Sequence, residues 1–130
     1  MSAPTKAPLA GASMLVVEDD PDIRQMTVTV LTNAGAAVTT ASTAEEGLEC
    51  ARSRDFDAVV LDWNLADSTG ALLLESLSAE RPALFEHSVV VTGDLLSIPG
   101  QHDAERLGRP VLAKPFRPSK LVAKLAEILA

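Results

Sequence analysis

The chain has a single cysteine, Cys50, and therefore cannot form an internal disulfide bond. It shows neither a secretory signal pattern nor an apolar run long enough to span a bilayer. Its two histidines, His87 and His102, have no further ligand residues at the spacing of a metal site. These absences predict a location in the reducing cytoplasm, an inert thiol, and histidines that lie on the surface.

Basic residues are also few, because 11 Lys and Arg face 18 Asp and Glu and leave a net charge of −7. A surplus of negative charge repels the phosphates of nucleic acids and the headgroups of anionic lipids. We therefore expect neither nucleic acid nor a membrane as a direct partner. The 130 residues, 47% of them hydrophobic, are sufficient for one domain with a sizeable core.

Three uninterrupted apolar runs have the length and composition of β-strands, and they cover residues 14–17, 59–61 and 89–91. An exposed strand would alternate polar and apolar side chains, so such runs are typical of strands buried on both faces. Residues 37–41 form a more polar strand that suits the edge of a sheet. Residues 110–113 form a fifth strand.

The most regular helical pattern follows the first strand. Asp20 can cap this helix, Pro21 suits its first position, and Asp22 lies near the positive end of the helix dipole. Apolar and small side chains then recur at helical spacing until Gly35, which supplies a stop. The predicted inward positions are Ile23, Met26, Thr27, Val30, Leu31 and Ala34.

Four further helices are predicted. Ser42 and Glu45 have the spacing of a capping box for the second helix. Residues 71–80 form the third helix, and residues 118–129 form the last. Between the fourth and fifth strands only residues 103–107 look helical, so we expect a short or distorted helix there.

The alternation of strands and helices predicts a doubly wound α/β fold. The crossovers are long enough for parallel strands, which indicates a flavodoxin-like five-stranded parallel sheet in the order 2-1-3-4-5 with helices on both faces. Residues 1–12 are rich in Ala, Pro, Ser and Thr, and we interpret them as a flexible tail or linker. The domain itself is predicted to cover residues 13–130.

Polar side chains follow four of the predicted strands and should meet at one edge of the sheet. They are Glu18, Asp19, Asp62, Thr92 and Lys114. Three crowded carboxylates need a cation, and an all-oxygen set suits Mg²⁺, with Mn²⁺ as the alternative. The predicted ligands are Asp19, Asp62 and a backbone carbonyl near Asn64.

Asp62 would then be placed to attack phosphorus and form an acyl phosphate. Lys114 and the hydroxyl of Thr92 would hold phosphoryl oxygens. Acids at strand ends often serve only as caps or turn formers, and we assign that role to Asp20. Other acids are expected to be solvated in loops, although one of them, Asp94, could face the site; they are Asp57, Asp67 and Asp94. The joint placement at four strand ends favours a functional site.

Four motifs, in this order and spacing, resemble the receiver domain of two-component response regulators. They are Val16-Val17-Glu18-Asp19-Asp20, Val59-Val60-Leu61-Asp62-Trp63-Asn64, Val91-Thr92-Gly93 and Ala113-Lys114-Pro115-Phe116. The match covers residues 13–130, and the four motifs together are a far more specific signal than any one of them.

The resemblance implies that Asp62 accepts a phosphoryl group from a phosphohistidine on a sensor histidine kinase or a histidine phosphotransfer protein. Glu18 and Asp19 match the acidic pair that binds Mg²⁺. Lys114 matches the lysine that contacts the phosphate, and Thr92 matches the switch hydroxyl. Such a domain is not a conventional enzyme, but it catalyses its own Mg²⁺-dependent aspartyl phosphorylation and dephosphorylation.

The resemblance also assigns three neighbouring positions. Asn64 and Asp94 match the two positions that tune self-dephosphorylation, and polar residues at both predict a short-lived phosphorylated form. The Lys114–Pro115 peptide bond is expected to be cis, as the family has it.

Two positions depart from the family pattern. Val111 stands where many receivers have an aromatic residue that moves with the threonine, so half of the usual switch is missing. Ala66 replaces a common proline in the loop after Asp62 and is expected to loosen that loop. The run from Arg109 to Phe116 looks most similar to receivers of hybrid histidine kinases or stand-alone single-domain regulators.

Three functions follow as hypotheses. The first is a phosphorylation-dependent switch in a phosphorelay, with a downstream protein target and without a DNA-binding output in this chain. The second is a receiver-like module that binds proteins without phosphorylation, which Val111 favours and which the set of Asp19, Asp62, Thr92 and Lys114 opposes. The third is a phosphatase with an aspartate nucleophile, which is disfavoured because Asn64 stands where a general acid would be needed.

Overall fold

The computed structural model describes residues 7–65, 67, 70–93 and 108–130. Within these residues there are five strands and five helices, in the order β1 (Ser13–Val17), α1 (Pro21–Asn33), β2 (Ala37–Ala41), α2 (Ala44–Ser53), β3 (Ala58–Asp62), α3 (Gly70–Glu80), α4 (Pro82–Phe85), β4 (Ser88–Thr92), β5 (Val111–Ala113) and α5 (Pro118–Leu129). No helix of these described ranges is long and apolar enough to cross a membrane. The helix predicted over residues 103–107 lies outside the described residues.

All strand pairs are parallel, and the sheet order β2-β1-β3-β4-β5 confirms the predicted one. Val17 lies opposite Leu61, and Asp62 lies opposite Val91. Thr92 in turn lies opposite Ala113. This register brings the carboxyl ends of four strands to the same edge of the sheet.

The sheet separates two hydrophobic layers, as the uninterrupted apolar strands predicted. Every residue of β3 and β4 is buried. Successive side chains of a strand point to opposite faces, so Val59 and Leu61 pack in a layer with residues of α2 and α3. Ala58 and Val60 pack in the other layer, which includes residues of α1 and α5. The helices therefore cover both faces of the sheet.

Helix α1 begins and ends as predicted. The Asp20 carboxylate accepts hydrogen bonds from the backbone N–H groups of Asp22 and Ile23, at 2.9 and 3.1 Å. Gly35, just after the helix, has a φ of 102°, which favours glycine. The prediction that Met26 points inward is wrong, since Met26 is 40% exposed. It lies about 100° around the helix from the buried Thr27, at the border of the packed stripe.

The predicted capping box of α2 is wrong by one residue. Thr43, not Ser42, is the N-cap, and its hydroxyl accepts a hydrogen bond from Glu46 N at 3.1 Å. A second cap comes from Asp67, whose carboxylate oxygens accept from Ala44 N at 2.9 Å and Glu45 N at 3.1 Å. The expectation that Asp67 is merely a solvated loop acid is therefore wrong, because its carboxylate caps α2. The sequence pattern gave no sign of this, since the partners lie more than 20 residues away in sequence.

The described part of the predicted tail is not a tail. Leu9 is 2% exposed and packs with the layer on the α1 side. Its N–H donates to Ala34 O at 2.8 Å, and Ala12 O accepts from Ala37 N at 2.8 Å. Gly35 permits this approach, because a Cβ there would lie 2.8 Å from the Cα of Ala10. A lone leucine among alanines gives no periodic signal, which is why the sequence pattern missed the contact.

The amino-terminal edge of the sheet is held by side chains that were not predicted to do so. Asp57, expected to be a solvated acid, accepts a hydrogen bond from Ser13 N at 2.7 Å through its carboxylate. Its carbonyl oxygen lies 2.9 Å from Nδ1 of the half-buried His87. Arg109 donates to the carbonyl oxygen of Ser88 through Nε at 3.2 Å and Nη2 at 3.0 Å. Burial lowers the pKa of this guanidinium.

We predict that Leu9→Ala lowers the free energy of unfolding by about 2 to 4 kcal/mol, because it removes a core side chain and leaves a cavity. The matched control is Leu72→Ala on α3, where the leucine is 57% exposed and the expected change is within about 0.5 kcal/mol. Urea unfolding followed by circular dichroism measures both. Equal stabilities for the two variants would show that residues 7–12 do not belong to the core.

Candidate functional site

The carboxyl edge of the sheet brings together the polar residues predicted to meet there. Backbone hydrogen bonds continue the ladder past the strand ends: Trp63 N donates to Val91 O at 2.9 Å, and Lys114 N donates to Thr92 O at 2.7 Å. Glu18 N likewise donates to Ala41 O at 3.0 Å. The backbone on both sides of the site is therefore fixed by the sheet itself.

Glu18, Asp19 and Asp62 form an acidic cluster in which one carboxylate oxygen of each residue lies within 4.8 Å of one from each of the other two. Glu18 and Asp62 are buried, and Asp19 is half-buried. Buried like charges repel, so this arrangement is stable only beside a positive charge. An all-oxygen donor set of this kind fits a hard divalent cation such as Mg²⁺.

Lys114 supplies the positive charge beside two of these acids. Its Nζ lies 2.6 Å from Glu18 Oε1 and 3.3 Å from Asp62 Oδ2. Burial by itself would lower the pKa of Lys114, but the hydrogen bond to Glu18 and the charge of Asp62 outweigh it and raise the pKa above its usual value. The ammonium therefore stays charged and compensates both acids.

Glu18 is the most constrained of the three acids. Burial raises its pKa to about 7; the hydrogen bond from Lys114 opposes this rise, and the neighbouring Asp62 adds to it. Its Oε2 also accepts from Asp20 N at 3.2 Å, and its carbonyl oxygen accepts from Arg24 Nη1 at 3.1 Å. The ionised form of Glu18 is thus destabilised by burial, although hydrogen bonds hold the residue in place.

Asp62 is oriented by its own loop. Asn64 N donates to Asp62 Oδ1 at 3.2 Å, while Oδ2 faces Lys114. Gly70, the first residue of α3, lies against this backbone, since a Cβ there would be 2.8 Å from Asp62 O and 3.0 Å from the Cα of Trp63. The predicted third helix began only at residue 71, and the sequence pattern gave no sign of this close approach.

Some of the remaining predicted positions are described by the structure, and others lie outside the described residues. Thr92 is buried at the end of β4, and Val111 is a partly buried residue of β5 packed against the core. The Lys114–Pro115 peptide bond is cis, as expected. The predictions for Asp94 and Ala66 fall outside the described residues.

A parallel sheet of this order defines the flavodoxin-like class of α/β proteins, and here an acidic cluster lies at its carboxyl edge. A family model for the response regulator receiver domain matches residues 14–126. The chain therefore belongs to the response regulator receiver family, which confirms the family predicted from the motifs.

Relatives and solved structures agree with this assignment. The chain is 29% identical to the phosphate regulon transcriptional regulatory protein PhoB of Pseudomonas aeruginosa, over 93% of this chain and 53% of that protein. It thus spans about half the length of the curated relatives it matches. A CheY-like receiver domain protein from Methanospirillum hungatei is 31% identical with a TM-score of 0.84, covering 91% of this chain and 93% of that one.

A third similar structure is a response regulator from Burkholderia pseudomallei that contains a phosphorylated aspartic acid, a calcium ion and citrate. It is 27% identical with a TM-score of 0.78, covering 88% of this chain and 66% of that chain. The likeness of this chain to receivers of hybrid histidine kinases stays a prediction.

We predict that Lys114→Met lowers the free energy of unfolding in the absence of divalent cations by about 3 kcal/mol, because it leaves two buried acids uncompensated. Mg²⁺ should restore more stability in this variant than in the unmodified protein, since binding then relieves a larger repulsion. Urea unfolding at pH 8, with and without Mg²⁺ at constant ionic strength, measures both effects.

The matched control is Lys124→Met on α5. Lys124 pairs with Glu127 at 3.5 Å across a largely exposed surface, and its loss should change stability by no more than about 0.5 kcal/mol. An identical response to Mg²⁺ in the two variants would contradict the compensating role of Lys114.

Proposed function

We propose that the chain is a phosphorylation-dependent signalling switch, in which Asp62 accepts a phosphoryl group from a phosphohistidine on a sensor histidine kinase or a histidine phosphotransfer protein. The observation that carries this proposal is the position of Lys114, with Nζ 3.3 Å from one carboxylate oxygen of Asp62. Membership of the receiver family and the phosphorylated aspartic acid of the Burkholderia pseudomallei neighbour support it.

In this reaction a carboxylate oxygen of Asp62 attacks phosphorus, and the bond between phosphorus and the histidine nitrogen breaks. The nitrogen keeps the electron pair of that bond and leaves with the partner's histidine. Lys114 contacts the phosphoryl oxygens as their negative charge comes to lie in the site, and the hydroxyl of Thr92 donates to one of them. The product is an acyl phosphate, which is labile.

Mg²⁺, or Mn²⁺ in its place, fits the acidic cluster. The residues that would hold it are Glu18, Asp19 and Asp62, together with the backbone carbonyl of Asn64. When bound, the cation would reduce the repulsion between the carboxylates and the phosphoryl oxygens. The supporting observation is the spacing of the three carboxylates, all within 4.8 Å.

Partner recognition is proposed to use α1 and the loops beside Asp62. Helix α1 begins at Pro21, directly after the acids of β1, and carries the exposed Met26. An exposed methionine offers an adaptable apolar contact. Readout to a downstream protein is proposed to involve Thr92 and the region of β4 and β5, where Val111 takes the place of the usual aromatic residue.

A second candidate is a protein-binding module that works without phosphorylation. Val111 favours it, since it stands on β5 where many receivers have the aromatic residue that moves with the threonine. The two functions differ in one property: binding of the downstream target should be abolished or altered by Asp62→Asn only if phosphorylation controls it.

Incubation with Mg²⁺ and a small acyl-phosphate donor should add one phosphoryl group to the unmodified protein, because the nucleophile, the lysine and the acidic cluster are in one place. Asp62→Asn should gain none, whereas the control Asp55→Asn should be phosphorylated normally, since Asp55 is 97% exposed and remote from the site. Intact-mass spectrometry, repeated with a metal chelator, measures the adduct.

An adduct that persists in Asp62→Asn would place the phosphoryl group elsewhere. The absence of an adduct in the unmodified protein, even with a phosphorylated histidine protein as donor, would favour the module that works without phosphorylation.

Asn64→Ala should lengthen the lifetime of the phosphorylated form severalfold, because a polar side chain that can orient the attacking water is lost. Asn33→Ala, at the exposed end of α1, is the matched control and should leave the lifetime unchanged. The decay of the mass adduct after removal of the donor measures both. A shorter lifetime in Asn64→Ala would contradict the proposed role.

A further inference from the structure

The loop between Asp62 and α3 carries the backbone that the site depends on, and several contacts fix it. Trp63 N donates to Val91 O at 2.9 Å, which ties the start of the loop to β4. Gly70 N donates to Trp63 O at 2.7 Å, which ties its end back to its start. Leu65 is buried in the layer with α2 and α3.

Asp67 also holds the loop, but through its side chain. Its side chain is exposed, yet both carboxylate oxygens accept backbone hydrogen bonds, from Ala44 N at 2.9 Å and from Glu45 N at 3.1 Å. These bonds, that to Ala44 above all, lower the pKa of Asp67. The carboxylate is thus charged at neutral pH, and charge-assisted hydrogen bonds are stronger than neutral ones.

The N–H groups of Ala44 and Glu45 need acceptors at the start of α2, but a neutral side chain or water would satisfy them as a carboxylate does. Thr43 already caps the helix through Glu46 N at 3.1 Å. Glu45 and Glu46 already place negative charge in the first turn, where the helix dipole favours it. A third acid, brought in from a distant loop, adds repulsion to that turn, so its benefit lies in where it holds the loop.

Helix α2 is a firm support for such an anchor. A Cβ at Gly47 would lie 2.8 Å from Cγ2 of Val17, so the helix packs directly on β1. Val17 is the residue before Glu18 of the acidic cluster. Asp67 therefore connects the loop after Asp62 to α2, and α2 packs on β1, the strand that Glu18 and Asp19 follow. In this way it links the Asp62 side of the site to the side of Glu18 and Asp19.

We propose that Asp67 is a positioning residue for phosphoryl transfer: by holding the N-terminus of α2, it fixes the loop that sets the backbone of Asn64 relative to Asp62 and the acidic cluster. It does not touch the phosphoryl group. This inference rests on the proposed function, because the geometry it protects is that of Asp62 as the acceptor.

The test compares Asp67→Ala with Thr43→Ala, which removes the other cap of α2 and leaves the loop untouched. Asp67→Asn is the conservative variant, because its amide oxygen can still accept one of the two hydrogen bonds. Two measurements are made: the rate of phosphorylation by an acyl-phosphate donor with Mg²⁺, and hydrogen exchange of the Asn64 and Gly70 amides by NMR. The Asn64 amide reports its bond to Asp62 Oδ1, 3.2 Å long.

In Asp67→Ala the phosphorylation rate should fall about tenfold through loss of alignment, and the Asn64 and Gly70 amides should exchange faster. In Thr43→Ala both should stay within about twofold of the unmodified protein. Asp67→Asn should recover a large part of the rate. Equal losses in Asp67→Ala and Thr43→Ala would show that only the stability of α2 matters, and would overturn the proposal.

Unaltered exchange of Asn64 in Asp67→Ala would also overturn it, as would faster exchange with an unaltered rate. If the unmodified protein is not phosphorylated at all, the proposed function fails instead. The exchange of Asn64 and Gly70 then decides by itself whether Asp67 anchors the loop.

Discussion

The structure depends on the balance of charge between Lys114 and the buried pair of Glu18 and Asp62. Two acids this close would oppose folding, and the ammonium 2.6 Å from one and 3.3 Å from the other offsets their repulsion. Asp19, the third acid of the cluster, is half-buried. A site with this balance holds itself together without a cation and still has the oxygen ligands to bind one.

The rest of the domain keeps these charges in register. Because all strands are parallel, their carboxyl ends deliver Glu18, Asp62 and Lys114 to one edge from three different strands. The cost of gathering like charges is met by the two hydrophobic layers, which lie along the whole sheet. The layers reach the site itself, because Trp63 and Leu65 of the loop after Asp62 belong to one of them.

The sequence pattern predicted the order of the strands, the start and end of α1, and the residues that gather at the sheet edge, but it placed the cap of α2 one residue too early. It failed where partners are distant in the chain. Asp67 caps a helix that begins 23 residues earlier, and Leu9 joins a core layer while its neighbour Ala10 lies against Gly35. Met26 was misplaced because helical spacing defines the centre of a packed stripe better than its border. Contacts of this kind become visible only when the elements are assembled.

Trp63 has a practical consequence. It is the only tryptophan of the chain, it directly follows Asp62, and its ring is nearly removed from solvent. Emission from the protein under selective excitation of tryptophan therefore comes from one residue beside Asp62. A change in the charge next to it alters the field at the indole without any added dye. The domain thus carries an intrinsic optical reporter, and stopped-flow fluorescence can follow its site in real time without labelling.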